Sequence, residues 1–126
     1  MKLTKAVQNF RELCPNPYST EQLVSWIAEL DGMAILDVFA SREGRPVPED
    51  WSPYTVQDME KELLIPAPYD NVYMDWLKSK TDYWQDESNY SNSSKVFNNG
   101  YMSFGDYWRR THAPLERKQW KLLGRG

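Results

Sequence analysis

The chain contains a single cysteine, Cys14, and a single histidine, His112. One cysteine forms no internal disulfide, and one residue of each type excludes the usual cysteine and histidine zinc sets. Such cysteine usage fits a reducing compartment. Aliphatic side chains are scarce as well. Leu, Ile, Val and Phe together number 25 of 126 residues, a fraction at which disorder begins to compete with folding. No apolar run approaches the roughly 20 residues that span a bilayer, so no membrane segment is expected. The opening Met1–Phe10 lacks the continuous apolar stretch of a secretory signal. The glycines are scattered, which leaves no phosphate-cradling loop.

Aromatic residues fill the gap left by the aliphatics. Six Trp, eight Tyr and four Phe make up 14% of the chain, and the net charge is only −3. Each large ring buries more area than a Val, so a single domain of this length builds its core on aromatics. The charge is unevenly placed. Residues 107–126 carry Arg109, Arg110, Arg117, Lys118, Lys121 and Arg125 against Glu116 alone, whereas residues 1–106 carry 9 basic and 17 acidic groups. A basic end on an acidic body suits nucleic acid or the acidic face of another protein. A solvated terminus has the same composition, and charge alone does not choose between them.

The apolar pattern is helical. Leu3, Ala6, Val7, Phe10 and Leu13 recur at three and four residues and predict a short helix. Pro15 and Pro17 end it. Ser19 to Gln22 reads as a capping box. It opens a second helix from about Thr20 to Phe39, with Leu23, Trp26, Ile27, Leu30, Ala34 and Val38 on one face and Gly32 as a close contact or bend. Between Ser41 and Pro68 lie five of the eight prolines, so residues 42–68 read as one long connecting loop. In it, Glu62–Pro66 is either a lone strand or a segment laid across the helices. Trp51 and Tyr54 either anchor the loop or contact a partner.

Asp70 offers a cap for a third helix whose stripe is Val72, Tyr73, Trp76, Leu77, Lys80, Tyr83 and Trp84. A polar break follows over 85–94. Phe97, Tyr101, Phe104 and Trp108 then mark a fourth helix, about Asn89–Thr111, ended by Pro114. If 85–88 is a turn the last two helices pair antiparallel; otherwise they fuse. The expected fold is all-α, a small bundle of about four helices in residues 1–114, with a basic, flexible tail at 115–126.

Groups for catalysis are few. Any Ser/His/Asp or Cys/His apparatus would have to use His112, which sits in a final helical turn where it also suits the helix dipole. Cys14 before Pro15 reads as a small apolar group. Glu60 with Glu62, or Asp82 with Asp86, are carboxylate pairs of the acid–base type, but without a third group they read as solvated. The aromatic stripe could serve as a base-stacking platform, yet its helical period and lack of interleaved basic residues point to core. No enzyme, cofactor or metal site is expected.

One further pattern concerns residues 16–114. Asn16-Pro17-Tyr18-Ser19, the run Leu63-Leu64-Ile65-Pro66-Ala67-Pro68-Tyr69-Asp70-Asn71-Val72-Tyr73, then Thr81-Asp82-Tyr83, Val96-Phe97-Asn98-Asn99 and Trp108-Arg109-Arg110-Thr111-His112-Ala113-Pro114 follow in order. Together they resemble small proteins encoded among the structural genes of tailed phages and of prophages in gut Firmicutes. Those proteins look like head–tail connector (adaptor) subunits, helical proteins that ring the portal. Pro46–Trp51 has no counterpart in that pattern. The resemblance implies a non-enzymatic assembly protein. It would associate with itself in a homo-oligomeric ring and with portal or tail-completion proteins, first in the bacterial host's cytoplasm and then in the virion. Trp51, Tyr54, Arg109, Arg110, Arg117, Lys118 and Lys121 are the expected interaction residues. The alternative is a small helical binding module, a nucleic-acid or regulatory adaptor that uses the basic C-terminal end.

Overall fold

The computed structural model describes residues 1–44 and 46–115. The protein is all-α, with four α-helices and no strand among the described residues. Helix α1 spans Leu3–Leu13 and buries Leu3, Ala6, Val7 and Phe10, the face its spacing predicts. Helix α2 spans Thr20–Ala34, with the Ser19 hydroxyl accepting from the Gln22 amide at 3.1 Å. That bond satisfies one of the free amides of the first turn. The helix runs straight on into a five-residue π-helical turn, Ile35–Phe39, so the expected end at Phe39 is reached through a wider coil.

Helix α3 spans Val72–Gln85 and helix α4 spans Glu87–Thr111. They are separate helices joined at a single residue. Asp86 leaves helical geometry (φ −146°, ψ 79°), and its side chain accepts from the Asn89 amide. The polar run that suggests a break over 85–94 is therefore mostly the exposed first turns of α4, which starts at Glu87 and not Asn89. Asp70 does not cap α3. It lies in a 3-10 turn, Tyr69–Asn71, and the residue at the cap, Asn71, makes no side-chain capping bond.

Helices α3 and α4 pack against each other along their length, and α1 and α2 close over α3. Gly100 permits the near approach. A Cβ there would lie 3.2 Å from a Val72 methyl carbon, tighter than ordinary contact. One core results: Leu23, Ile27 and Leu30 of α2, Tyr73 and Leu77 of α3, and Phe97, Phe104 and Trp108 of α4 are all buried. Phe39 of the π-turn wedges edge-on against Trp108, with centroids 4.8 Å apart, and against Phe104. T-shaped ring pairs of this kind contribute beyond their area.

The long loop is less free than its prolines suggest. Residues 62–65 lie across the helices and not in a sheet: Leu63, Leu64 and Ile65 are buried, and the Leu63 amide donates to the Met1 carbonyl. Val56–Asp58 forms a 3-10 turn capped by Thr55. Gly44, at φ 71°, makes the turn after Arg42 that an L side chain rarely adopts. The Arg42–Pro114 bridge ties this corner to the chain just beyond α4.

Candidate functional site

Two features of the surface and interior carry chemistry: an aromatic groove beside α2 and a buried carboxylate of α2. The groove follows from the register of α3. Tyr73 and Leu77 are fully buried, and Trp76 is held between Phe97 of α4, at 4.9 Å, and α2, where its indole N–H donates to the Trp26 carbonyl at 2.6 Å. Farther along, Lys80 still reaches Glu29 of α2, whereas the last two residues of the stripe stand in solvent. Tyr83 and Trp84 are 56% and 66% exposed, which corrects the expectation that they belong to the core stripe. Tyr90, from the first turn of α4, joins them. Tyr83 meets Trp84 at 5.0 Å and Tyr90 at 5.3 Å, both edge to face.

These rings border an open groove of about 360 Å³ whose floor is Trp26, Trp76 and Ser79. Lys80 lies over the Trp76 ring at 4.6 Å and pairs with Glu29 at 3.1 Å. A cation over an indole face is held by the ring quadrupole as well as by its carboxylate partner. Glu29 also borders a second depression of about 300 Å³, which ends at Trp51. Trp51 in turn borders a third of about 380 Å³, which includes Pro46 and Pro48. The first and second share Glu29 of α2, and the second and third share Trp51 and Tyr54 of the loop.

The loop is held to α2 by the buried carboxylate of Asp31. This residue is fully buried. Its Oδ2 accepts from the Tyr54 hydroxyl at 2.6 Å and from the Leu64 amide at 3.1 Å, and its Oδ1 accepts from the Tyr73 hydroxyl. Tyr73 also accepts from the Ile65 amide at 2.9 Å, and Tyr54 from the Trp51 indole N–H at 3.2 Å. Three segments, α2, the loop and α3, therefore converge on one carboxylate. Burial pushes the Asp31 carboxyl above its ordinary range, with the hydrogen bonds pulling the other way. Burial and the Asp31 charge push both tyrosine hydroxyls up, which keeps them protonated as donors. The sequence reading missed Asp31. The signal was present, since an acid at 31 falls between Ile27 and Ala34 on the apolar face of α2.

The expected interaction residues divide accordingly. Tyr54 is 6% exposed with its hydroxyl engaged, so it anchors the loop and is not a surface contact. Trp51 is half-buried and lies over Gly32, its ring edge 3.9 Å from where a Cβ would stand. Arg109 and Arg110 are exposed on the last turns of α4. Arg109 reaches Asp106 at 3.3 Å and the Asp37 carbonyl at 3.5 Å, and Arg110 donates to the Asp106 carbonyl. Arg117, Lys118 and Lys121 lie outside the described residues.

Two other groups behave differently from each other. His112 caps α4: its amide donates to the Trp108 carbonyl, and its ring stacks on Trp108 with centroids 3.6 Å apart. Asp82, expected to be solvated, is buried. Its Oδ1 pairs with Lys78 at 2.8 Å, and its Oδ2 has no hydrogen-bond partner among the described residues. That hydrogen bond raises the Lys78 ammonium above its usual value, and burial alone raises Asp75 in the same small polar recess. Among the described residues no His, Cys, Asp or Glu group suits a metal ion, and no helix is long and apolar enough to cross a membrane. Compared with family models, curated proteins and solved structures, the chain matches none.

Proposed function

We propose that the chain is a non-enzymatic structural protein of a tailed phage or prophage, a head–tail connector (adaptor) subunit that works by protein–protein assembly between portal and tail. The observation that carries this reading is the groove at the α3–α4 turn, where Tyr83, Trp84 and Tyr90 stand exposed on two packed helices. Tyr and Trp anchor protein interfaces because they offer large area at low entropic cost. Here their neighbours already fix them. The residues that carry the resemblance to connector proteins supply the biological setting. Among them, Leu63–Ile65, Tyr73 and Trp108 are core residues that build the body from which such a surface projects.

The basic arginines of α4 favour the same reading over nucleic-acid binding, since Arg109 and Arg110 are turned back onto Asp106 of their own helix. Purified particles from the induced prophage, analysed by mass spectrometry and by electron microscopy of a tagged chain, test the proposal. The chain is expected at the neck, next to the portal. Deleting residues 116–126 should leave the melting temperature almost unchanged while reducing incorporation. Particles complete without the chain, or a turnover that His112→Ala abolishes with the fold intact, would overturn it.

A further inference from the structure

We propose that the aromatic groove at the α3–α4 turn receives the Pro46–Pro48 loop of a second copy of this chain, so that copies associate head to tail. This rests on the assembly reading above and names the partner of its surface.

The groove has the chemistry that recognises proline. Extended proline segments dock between aromatic rings because their backbone is already fixed and their flat rings stack on Trp and Tyr faces. Trp76, Tyr83, Trp84 and Tyr90 provide such walls, and the edge-to-face contacts at 5.0 and 5.3 Å set three of them at fixed angles. The loop has the matching form. Pro46 and Pro48 are both exposed. Each proline fixes its own φ, and Pro48 biases Val47 to an extended conformation, so docking costs little conformational entropy.

Charge fixes the direction. Glu49 and Asp50 follow Pro48 directly and are exposed. In the groove, Lys80 is held over Trp76, and its present partner Glu29 is half exposed on the rim. An incoming carboxylate therefore meets a cation already positioned beside the rings. Glu49 or Asp50 of the incoming loop thus offers Lys80 a second carboxylate beside Glu29, a contact available between copies.

Placement excludes the loop's own groove. The loop is tied to its own body by Trp51 and Tyr54, which line the same depression as Pro46 and Pro48. Loop and groove are thus separate patches of one molecule, with no lining residue in common. A contact between two different patches is heterologous, and repeated by rotation it closes into a ring.

Sedimentation velocity of the full chain over a concentration series tests the proposal. The variants are Trp84→Ala for the groove and the pair Pro46→Gly with Pro48→Gly for the loop. Circular dichroism and melting show that each variant is folded, with Tyr83→Ser as a second groove variant. The wild type should self-associate, and each variant should lose at least tenfold in association. An equimolar mixture of groove and loop variants should recover dimers and nothing larger, because only one intact contact can form per pair. Raising salt should weaken the wild-type association severalfold.

A wild type that stays monomeric throughout would overturn the inference, as would variants that associate like it or a groove that binds single-stranded DNA in place of the loop. Particle incorporation separates the two claims. Normal incorporation of folded Trp84→Ala overturns the docking and leaves the connector reading standing. Absence of the wild type from particles overturns the connector reading whatever the sedimentation shows.

Discussion

The two ends of the α3–α4 hairpin are built from the same kinds of residue on the same helical period, yet they end in opposite environments. At one end Phe104 and Trp108 close over Tyr69 and Phe39, and Phe104 is fully buried. At the other, Tyr83, Trp84 and Tyr90 pack on one another and remain in solvent. The difference is made by what lies across the hairpin. The π-turn after α2 carries Phe39 into the first end. Toward the second, α2 meets the stripe through the Trp26–Trp76 hydrogen bond and the partly exposed Glu29–Lys80 pair, and Tyr83 and Trp84 lie in solvent beyond. Periodicity reports which residues share a face. It does not report how far a neighbouring helix reaches along that face.

The largest expected effect tests the covered end. Phe104→Ala removes a ring that three other aromatics touch, and should cost about 3–5 kcal/mol in a denaturant titration. A loss below about 1 kcal/mol would mean that this end is not the closed core described above.

Nearly as large is the effect expected at Asp31 of α2, which joins the loop to α2 and α3. Asp31→Ala leaves the Tyr54 and Tyr73 hydroxyls and the Leu64 amide without their acceptor, and should cost about 3 kcal/mol or more. Asp31→Asn adds a test by pH. Burial raises the folded-state pKa above the ordinary 3.8, so the folded state holds its proton more tightly than the unfolded chain. Wild-type stability therefore falls as pH rises above 3.8 toward the raised value. Asp58, lowered chiefly by the Thr55 amide, acts in the opposite sense, its contribution being lost as pH falls. The stability difference between wild type and Asp31→Asn should carry the Asp31 slope alone. A flat difference over that range would show that the carboxylate is not held against ionisation.

Tyr54→Phe is a smaller test of the same node. It keeps the ring and removes one donor to Asp31, with an expected loss of about 1–2 kcal/mol. The Trp51 indole loses its acceptor at the same time, so Trp51 fluorescence should shift to the red as the loop loosens. No shift would separate Trp51 from the network.

Most of the bundle is legible in the sequence because local rules decide it. Ser19 caps α2, and the apolar spacing marks the buried faces of α1, α2 and α4. The loop and the groove are not legible in that way, because they depend on contacts between distant residues. Tyr54 and Tyr73 lie 23 and 42 residues from Asp31. Nothing near any of the three announces the others, although an acid on the apolar face of α2 invites a search for donors. Asp82 misled although its partner is local. Its i, i+4 partner Asp86 suggested a solvated pair, whereas its ion pair is with Lys78, four residues earlier. Tyr83 and Trp84 extend a stripe that is core for its first half, and only the packing of distant elements shows where the core stops.

The smallest expected effect belongs to the uncovered end. Trp84 is two-thirds exposed and touches Tyr83 edge to face. Burying so little of its area, it adds little to the fold, and Trp84→Ala should change unfolding free energy by no more than about 0.5 kcal/mol. The contrast with Phe104→Ala is the point of the measurement, since two aromatic truncations on one hairpin should differ several-fold in cost. If Trp84→Ala instead costs about as much as Phe104→Ala, its exposure here misstates its role, and the ring belongs to a core completed by some other part of the chain. A near-silent change in stability, with the association of copies lost, is the behaviour of a residue whose burial waits for another molecule.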